Sequence, residues 1–254
     1  MFIDLKRFKY ILFFYFIASY VLAQHKEESG VNLPKFYRNS MHFGFSLAYN
    51  STDFRIHTVK NSSFPDTMIN GTTYGMKTIY TKSEPGFALG IISDFRLQEY
   101  LRLRCTPNIS FASRNLEYTL ENSTRDSLKK YTKSVESTFI VVPIELKLQS
   151  KRLDNFGVYV IFGGGYTLDL VSKKKAIATG GANQLDDAVL LKRDDFCLNA
   201  GGGLDFYLKF FKLGLELKVL QGSRNLLQPN NNIFTKSMEK VNSKMVVFSI
   251  TFEG

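Results

Sequence analysis

"FKLGLELKV", from Phe211 to Val219, is the stretch on which the fold turns. Leu213, Leu215, Leu217 and Val219 share one parity, and Lys212, Gly214, Glu216 and Lys218 share the other. A strict period of two is a β-strand with unlike faces. Leucines turned inward with charges in water would make a soluble sheet. Leucines turned outward with charges inside would make a membrane barrel. The rest of the chain has to choose between the two.

The same alternation recurs on either side. "MHFGFSLAY" (Met41 to Tyr49) sets Phe43, Phe45, Leu47 and Tyr49 against Gly44, Ser46 and Ala48. "GFALGIISDFRL" (Gly86 to Leu97) and "YLRLRCTPNISF" (Tyr100 to Phe111) set rows of Phe, Leu and Ile against Asp94, Arg96, Arg102 and Arg104. "STFIVVPIELKLQS" (Ser137 to Ser150) ends with Ile144, Leu146 and Leu148 against Glu145 and Lys147. "NFGVYVIFGGGYTL" (Asn155 to Leu168), "DFCLNAGGGLDFYL" (Asp195 to Leu208) and "KMVVFSITFE" (Lys244 to Glu253) complete the set, with Asp205 on the polar row of the second. With the opening stretch these make eight predicted strands, most of roughly 9 to 14 residues. Globular strands average about 5 or 6 residues, whereas a tilted membrane strand needs about 9 to 11.

The connections alternate as well. Long polar segments (50–85, 112–136, the stretch containing "SKKKAIATGGANQLDDAVLLKR", and "QGSRNLLQPNNNIFTKSMEKVNS") separate strands that are otherwise joined by little more than "QEY", "KRLD" and a turn at Lys209 and Phe210. Long, short, long, short is the rhythm of an outer-membrane barrel with outer loops and periplasmic turns. The expected fold is therefore all-β: an eight-stranded antiparallel up-and-down transmembrane β-barrel with four long outer loops. A soluble lipocalin-like barrel also has eight strands, but rarely carries all its long loops at one end. Aromatics near strand ends, among them Tyr49, Tyr100, Phe111, Phe156, Tyr166 and Phe252, suit the girdles of a membrane barrel.

The start of the chain agrees with export. Lys6, Arg7 and Lys9 precede the apolar run Tyr10 to Ala23, about 14 residues, and Val21 and Ala23 stand where a signal peptidase cuts. That run is short of the roughly 20 residues a membrane helix needs. The expected organisation is a signal peptide over 1–23, a periplasmic segment over 24–40 and the barrel over 41–254. Setting aside Lys6, Arg7, Lys9 and the one acid, Asp4, lowers the net charge from +10 to +8. In an exported chain this excess points to lipid head groups or lipopolysaccharide, and not to nucleic acid. Two cysteines, Cys105 and Cys197, are too few for a disulfide framework, and their parities place them on opposite faces.

In the barrel reading the charged parity lines the lumen: Asp94, Arg96, Arg102, Arg104, Glu145, Lys147, Asp205, Glu216 and Lys218. Eight strands leave room for side chains and no wide channel, so mixed signs suit a packed interior. Lys173, Lys174 and Lys175 form a basic loop cluster able to touch lipopolysaccharide phosphates, although a solvated charge run is the plainer reading. "FGGGY" (Phe162 to Tyr166) and "AGGGL" (Ala200 to Leu204) lack the Gly-Lys-Ser/Thr ending and the helix of a phosphate loop, and read as strand glycines. Asp53 with His57 is the one acid–His pair worth weighing for catalysis, and no nucleophile motif accompanies it. No catalytic, metal-binding or cofactor site is expected.

Several local patterns together bear a resemblance: "PGF" (Pro85 to Phe87), "LQEY" (Leu97 to Tyr100), "RNLEY" (Arg114 to Tyr118), "VESTF" (Val135 to Phe139), "LQSKRLDN" (Leu148 to Asn155) and "KRDDF" (Lys192 to Phe196). Over about Met41 to Glu253 the chain resembles the PorT/SprT family of Bacteroidetes outer-membrane barrels. The resemblance implies a non-enzymatic accessory component of the type IX secretion system, partnered by other secretion-apparatus proteins and, in gliding species, needed for surface adhesin export. It implies the outer membrane of a Gram-negative bacterium with both termini in the periplasm. It carries no catalytic residue. The competing expectations are a general surface barrel for adhesion or envelope integrity and, more remotely, a lipid-modifying barrel enzyme.

Overall fold

In the computed structural model, residues 30–59, 66–69, 72–122, 128–171, 191–228 and 233–254 are described. Ten strand segments follow one another: β1 (Met41–Thr58), β2 (Asp66–Ile69), β3 (Thr72–Arg96), β4 (Leu101–Cys105), β5 (Asn108–Asn122), β6 (Leu128–Gln149), β7 (Phe156–Asp169), β8 (Asp194–Tyr207), β9 (Lys212–Gly222) and β10 (Met238–Glu253). Every pairing is antiparallel, and β1 pairs with both β3 and β10, which closes the sheet into a barrel. The segments β4 and β5 are one stave interrupted at Thr106 and Pro107, and β2 only extends β3 as a hairpin, so the wall has eight staves. Pro143 of β6 sits opposite that interruption: β6 pairs with β5 as far as Val141 and with β4 from Ile144. Proline has no N–H for a ladder bond, so the two prolines share one break.

Short connections lie at one end of the barrel, the turn end, where Met41 and Glu253 also lie. The turn between β6 and β7 closes with Leu153 and Phe156 exchanging backbone bonds, and Asp154 takes a φ of 49°. Asp and Asn tolerate that left-handed backbone better than other side chains, which suits "DN" to a two-residue hairpin loop. At the other end, the loop end, the strands run well past their expected limits. β1 continues to Thr58, β3 starts at Thr72, β5 continues to Asn122 and β6 starts at Leu128. Two of the expected long loops, 50–85 and 112–136, are thus largely paired strand.

The question put by "FKLGLELKV" has a different answer at each height. Around the turn-end half, the apolar row points outward: Phe43, Leu47, Phe87, Ile91, Ile144, Leu198 and Leu217 are all exposed, while Ser46, Arg104, Glu145 and Glu216 are buried. Tyr49, Phe87, Phe111, Tyr166 and Phe196 mark the upper limit of this apolar belt, and Phe45, Phe156, Phe206 and Phe252 its lower limit; Phe45–Phe252 and Phe87–Phe111 stack at 4.7 and 4.8 Å. Above the belt the faces exchange character. On β5 the inward row continues from Ser110 to Arg114, Leu116, Tyr118 and Leu120, and the outward row becomes Ser113, Asn115, Glu117 and Thr119. Phe54, Met76, Leu116, Tyr118, Leu120, Met238 and Val241 form a buried apolar core there, joined by Leu191, Leu226 and Leu227 from the loops. The turn-end half therefore has the build of a barrel in lipid and the loop-end half that of a barrel in water.

Candidate functional site

The buried charges of the turn-end half form one connected cluster. Asp94 on β3 accepts from Arg102 Nε at 2.5 Å and from Arg104 Nη2 at 2.7 Å, both on β4. Arg104 Nη2 also reaches Glu253 Oε1 on β10 at 2.7 Å, and its Nη1 reaches Glu216 Oε2 on β9 at 3.4 Å. Glu253 continues to Lys212 at 2.8 Å, and Lys212 lies 3.6 Å from Asp205 on β8, which accepts from Lys147 Nζ at 2.8 Å. Lys218 stands between Glu216 at 2.8 Å and Glu145 at 3.3 Å. Arg102, Arg104, Lys147, Lys212 and Lys218 are matched by Asp94, Glu145, Asp205, Glu216 and Glu253. Five cations against five carboxylates leave no net charge, which is what burial of ions at this depth demands.

The sequence places these groups through local geometry. Period two puts residues two apart on the same face, so Arg102 with Arg104, Glu145 with Lys147, and Glu216 with Lys218 each enter the lumen one above the other. Antiparallel register then sets Arg104 opposite Glu145 and Arg102 opposite Lys147 across β4 and β6. Tyr159 of β7 adds its hydroxyl to Glu216 Oε2 at 2.7 Å, and its ring lies 3.6 Å under Lys147 Nζ. That ring is accommodated by a glycine: a Cβ on Gly203 would stand 2.5 Å from the Tyr159 ring carbon. The glycine triplets lie within β7 and β8 and cradle no phosphate loop.

Of the residues expected in the lumen, Asp94, Arg102, Arg104, Glu145, Lys147, Asp205, Glu216 and Lys218 are buried in this cluster. Arg96 lies apart from it, half-buried at the turn-end rim, where its Nη1 donates to the Arg38 carbonyl at 3.2 Å. Lys173, Lys174 and Lys175 lie outside the described residues. Asp53 and His57 share the outward face of β1 but are four residues apart; at about 3.3 Å of rise per residue that separation is too great for a hydrogen bond. Cys105 belongs to the outward row and Cys197 is buried inside, and both thiols are free.

Lys212, Tyr159 and Glu253 are members that the sequence reading did not single out. Lys212 follows the turn and shares parity with Glu216, and Glu253 continues the inward row of Ser249 and Thr251, so strict parity carried to the strand ends would have found both.

The segment ahead of β1 closes the turn end. Phe36, in a 3₁₀ turn over Phe36–Arg38, is buried against His42 with ring centroids 3.6 Å apart, and Lys212 Nζ lies 5.0 Å over its ring. Asn32 donates to the Tyr207 carbonyl at 3.0 Å and Tyr37 stacks on Tyr207 at 5.8 Å. Arg152, from the β6–β7 turn, lies 3.9 Å over the Tyr207 ring and donates to the carbonyls of Asn32 and Leu33. The carboxylate of Glu99 beside Tyr100, in the first turn, holds that phenol above its ordinary range. The lumen is thus filled by ions in its lower half, capped by Phe36 below and by the apolar core above.

Residues 22–228 match the family model described as outer membrane protein beta-barrel domain. No curated protein matches the sequence. Among solved structures, the chain is similar to Ail, the attachment invasion locus protein of Yersinia pestis, crystallised with the heparin analogue sucrose octasulfate: 12% identity over 85% of this chain and 100% of that one, TM-score 0.36. It is similar to OprG from Pseudomonas aeruginosa at 15% identity over 84% of this chain and 92% of that one, TM-score 0.37. It is also similar to Neisserial surface protein A, at 11% identity over 82% of this chain and 95% of that one, TM-score 0.37.

Proposed function

The chain belongs to the outer membrane protein β-barrel domain family, and from that premise we propose that it is a non-enzymatic barrel serving the assembly or operation of the type IX protein secretion system. The turn end, with both chain termini, faces the periplasm in this reading, and the loop end projects from the outer leaflet. The filled lumen is the observation that carries the mechanism. A polypeptide or a folded cargo has no path past Arg104, Glu216 and Glu253, so the barrel acts through its surfaces, on other components of the apparatus. The motifs "RNLEY", "VESTF" and "LQSKRLDN" support the choice of apparatus. Lipid and lipopolysaccharide surround the apolar belt and meet the polar wall above it. Deleting the gene should abolish secretion of cargo proteins and surface adhesin display while leaving other outer-membrane barrels in place; intact secretion would refute the assignment.

The polar wall standing above the belt favours a second reading, a general surface barrel that contacts host or polysaccharide through its loop end. Exchanging the loop-end hairpins for unrelated ones separates the two. Secretion lost on exchange belongs to the first reading, and adhesion or envelope integrity lost with secretion intact belongs to the second.

A further inference from the structure

The turn end carries an unbalanced charge. Outside the ionic cluster, its described basic side chains are Lys35 and Arg38 on either side of Phe36, Arg96 before the first turn, Lys151 and Arg152 in the second, and Lys209 in the third. Six cations against two carboxylates, Glu99 and Asp154, leave an excess of four positive charges. Lys35, Arg38, Lys151 and Lys209 are exposed. Arg96 and Arg152 are half-buried and donate to main-chain carbonyls, of Arg38 in one case and of Asn32, Leu33 and Asp154 in the other. Among the described residues none of the six pairs with a carboxylate. The ionic cluster behind them is neutral, so it does not cancel the excess. The patch is also held in shape, because the segment carrying Phe36 is tied to all three turns. Arg96 Nη1 donates to the Arg38 carbonyl at 3.2 Å, Tyr37 Oη to the Ser150 carbonyl at 3.4 Å, and Asn32 Nδ2 to the Tyr207 carbonyl at 3.0 Å. Lys35 and Arg38 therefore belong to the cap over the barrel mouth, inside the ring of turns, whereas Lys151 and Lys209 stand on the ring itself.

We propose, resting on the periplasmic orientation and the secretion role given above, that the turn end is a docking face for an acidic surface of a periplasmic protein, met by Lys35, Arg38, Lys151 and Lys209. Exposed ion pairs contribute little one at a time. Several uncompensated charges of one sign act together: they steer an acidic partner toward the face and fix its orientation, and salt weakens both effects. Anionic lipid is the competing occupant. Head groups of the inner leaflet reach Lys151 and Lys209 at the rim, but the ring of turns separates Lys35 and Arg38 from the bilayer. A positive patch that continues across the mouth fits a partner that spans the mouth. The filled lumen points the same way, since a barrel that passes nothing through itself has to work through a surface of this kind.

Polyglutamate is the probe for the acidic partner, and the full mature chain is held in nanodiscs of zwitterionic phosphatidylcholine. Wild-type protein should bind polyglutamate saturably, and added salt should weaken the binding. The turn-end set Lys35→Glu, Arg38→Glu, Lys151→Glu and Lys209→Glu should lower affinity at least about tenfold. The loop-end set Lys82→Glu, Lys130→Glu, Lys240→Glu and Lys244→Glu makes the same change in net charge and should keep most of the affinity. In cells, the turn-end set should lower cargo secretion at least about tenfold while the barrel keeps its heat-modifiable migration. Should the fourfold variant fail to assemble, the pairs Lys35→Glu with Arg38→Glu and Lys151→Glu with Lys209→Glu are measured separately. The proposal is overturned if wild-type protein does not bind polyglutamate, if the loop-end set loses as much affinity as the turn-end set, or if the assembled turn-end variant secretes normally. It is also overturned if only the Lys151 and Lys209 pair impairs secretion and the Lys35 and Arg38 pair is silent, which is the result for lipid head groups. Secretion that survives deletion of the whole gene refutes the secretion role instead, and the polyglutamate comparison then decides the docking face alone.

Discussion

Arg104 is the residue on which most of the lumen depends. It touches carboxylates from β3, β9 and β10, so removing it takes a cation from three buried acids at once and leaves the cluster one negative charge in excess, although Arg102, Lys218 and Lys212 still reach one acid each. A buried ion pair adds little net stability over a well-packed apolar replacement, but breaking one by removing a single partner typically costs about 3–5 kcal/mol. Arg104→Met should therefore lower unfolding stability in lipid by about that amount, read from urea titration of the heat-modifiable band. Leu217 gives the opposite test at the same scale. It is more than half exposed and sits on the outward row beside Phe248 of β10. If that row meets acyl chains, Leu217→Arg should cost about 2–4 kcal/mol in a bilayer. A barrel whose outward row met water would be unmoved by the same change.

At the scale of the strand, the two halves of β5 obey one alternation with reversed chemistry. Ser110 and Leu116 share a face, and both are buried, one among ions and hydroxyls and the other in an apolar core. The loop-end core should be separable from the barrel below it. Leu116→Asp puts an unpaired carboxylate into that core, and amides of 114–121 should then exchange with solvent much faster. The heat-modifiable mobility of the barrel should persist, because the apolar belt and the ionic cluster are untouched. Loss of both together would show that the halves fold as one unit. This reversal also explains what could be read from the sequence and what could not. The belt strands were legible because Phe, Leu and Ile alternate with charges or small residues, and no loop does that. The extensions were hidden because Ser, Thr, Asn and Lys dominate their outward rows, which is also how a loop looks. The clue lay in "RNLEYTLEN", where Leu116, Tyr118 and Leu120 keep the period of two inside a polar composition. Eight of the ten ions were legible from the same alternation as the belt, while Lys212 and Glu253, at the strand ends, escaped that reading. The Phe36 cap was not, since no periodicity announces a single aromatic folded back into a barrel mouth.

For the whole molecule the decisive property is closure at every level. Phe36 covers the turn end, the ion cluster fills the lower lumen, and Leu191, Leu226 and Leu227 join the core at the loop end. Reconstituted into planar bilayers, the protein should show no stable open-channel conductance; steady pores would mean that the cap or the ion cluster opens in the membrane. Closure also bears on how the barrel is completed. Glu253 lies on β10, the last stave to be made, yet its carboxylate serves Arg104 on β4 across the lumen and Lys212 on the neighbouring β9. Until β10 docks against β1, the half-built wall holds two cations with an acceptor missing. The charges of the ionic cluster thus balance only when the final strand is in register, and a chain stopped short or slipped by one residue keeps an unbalanced interior.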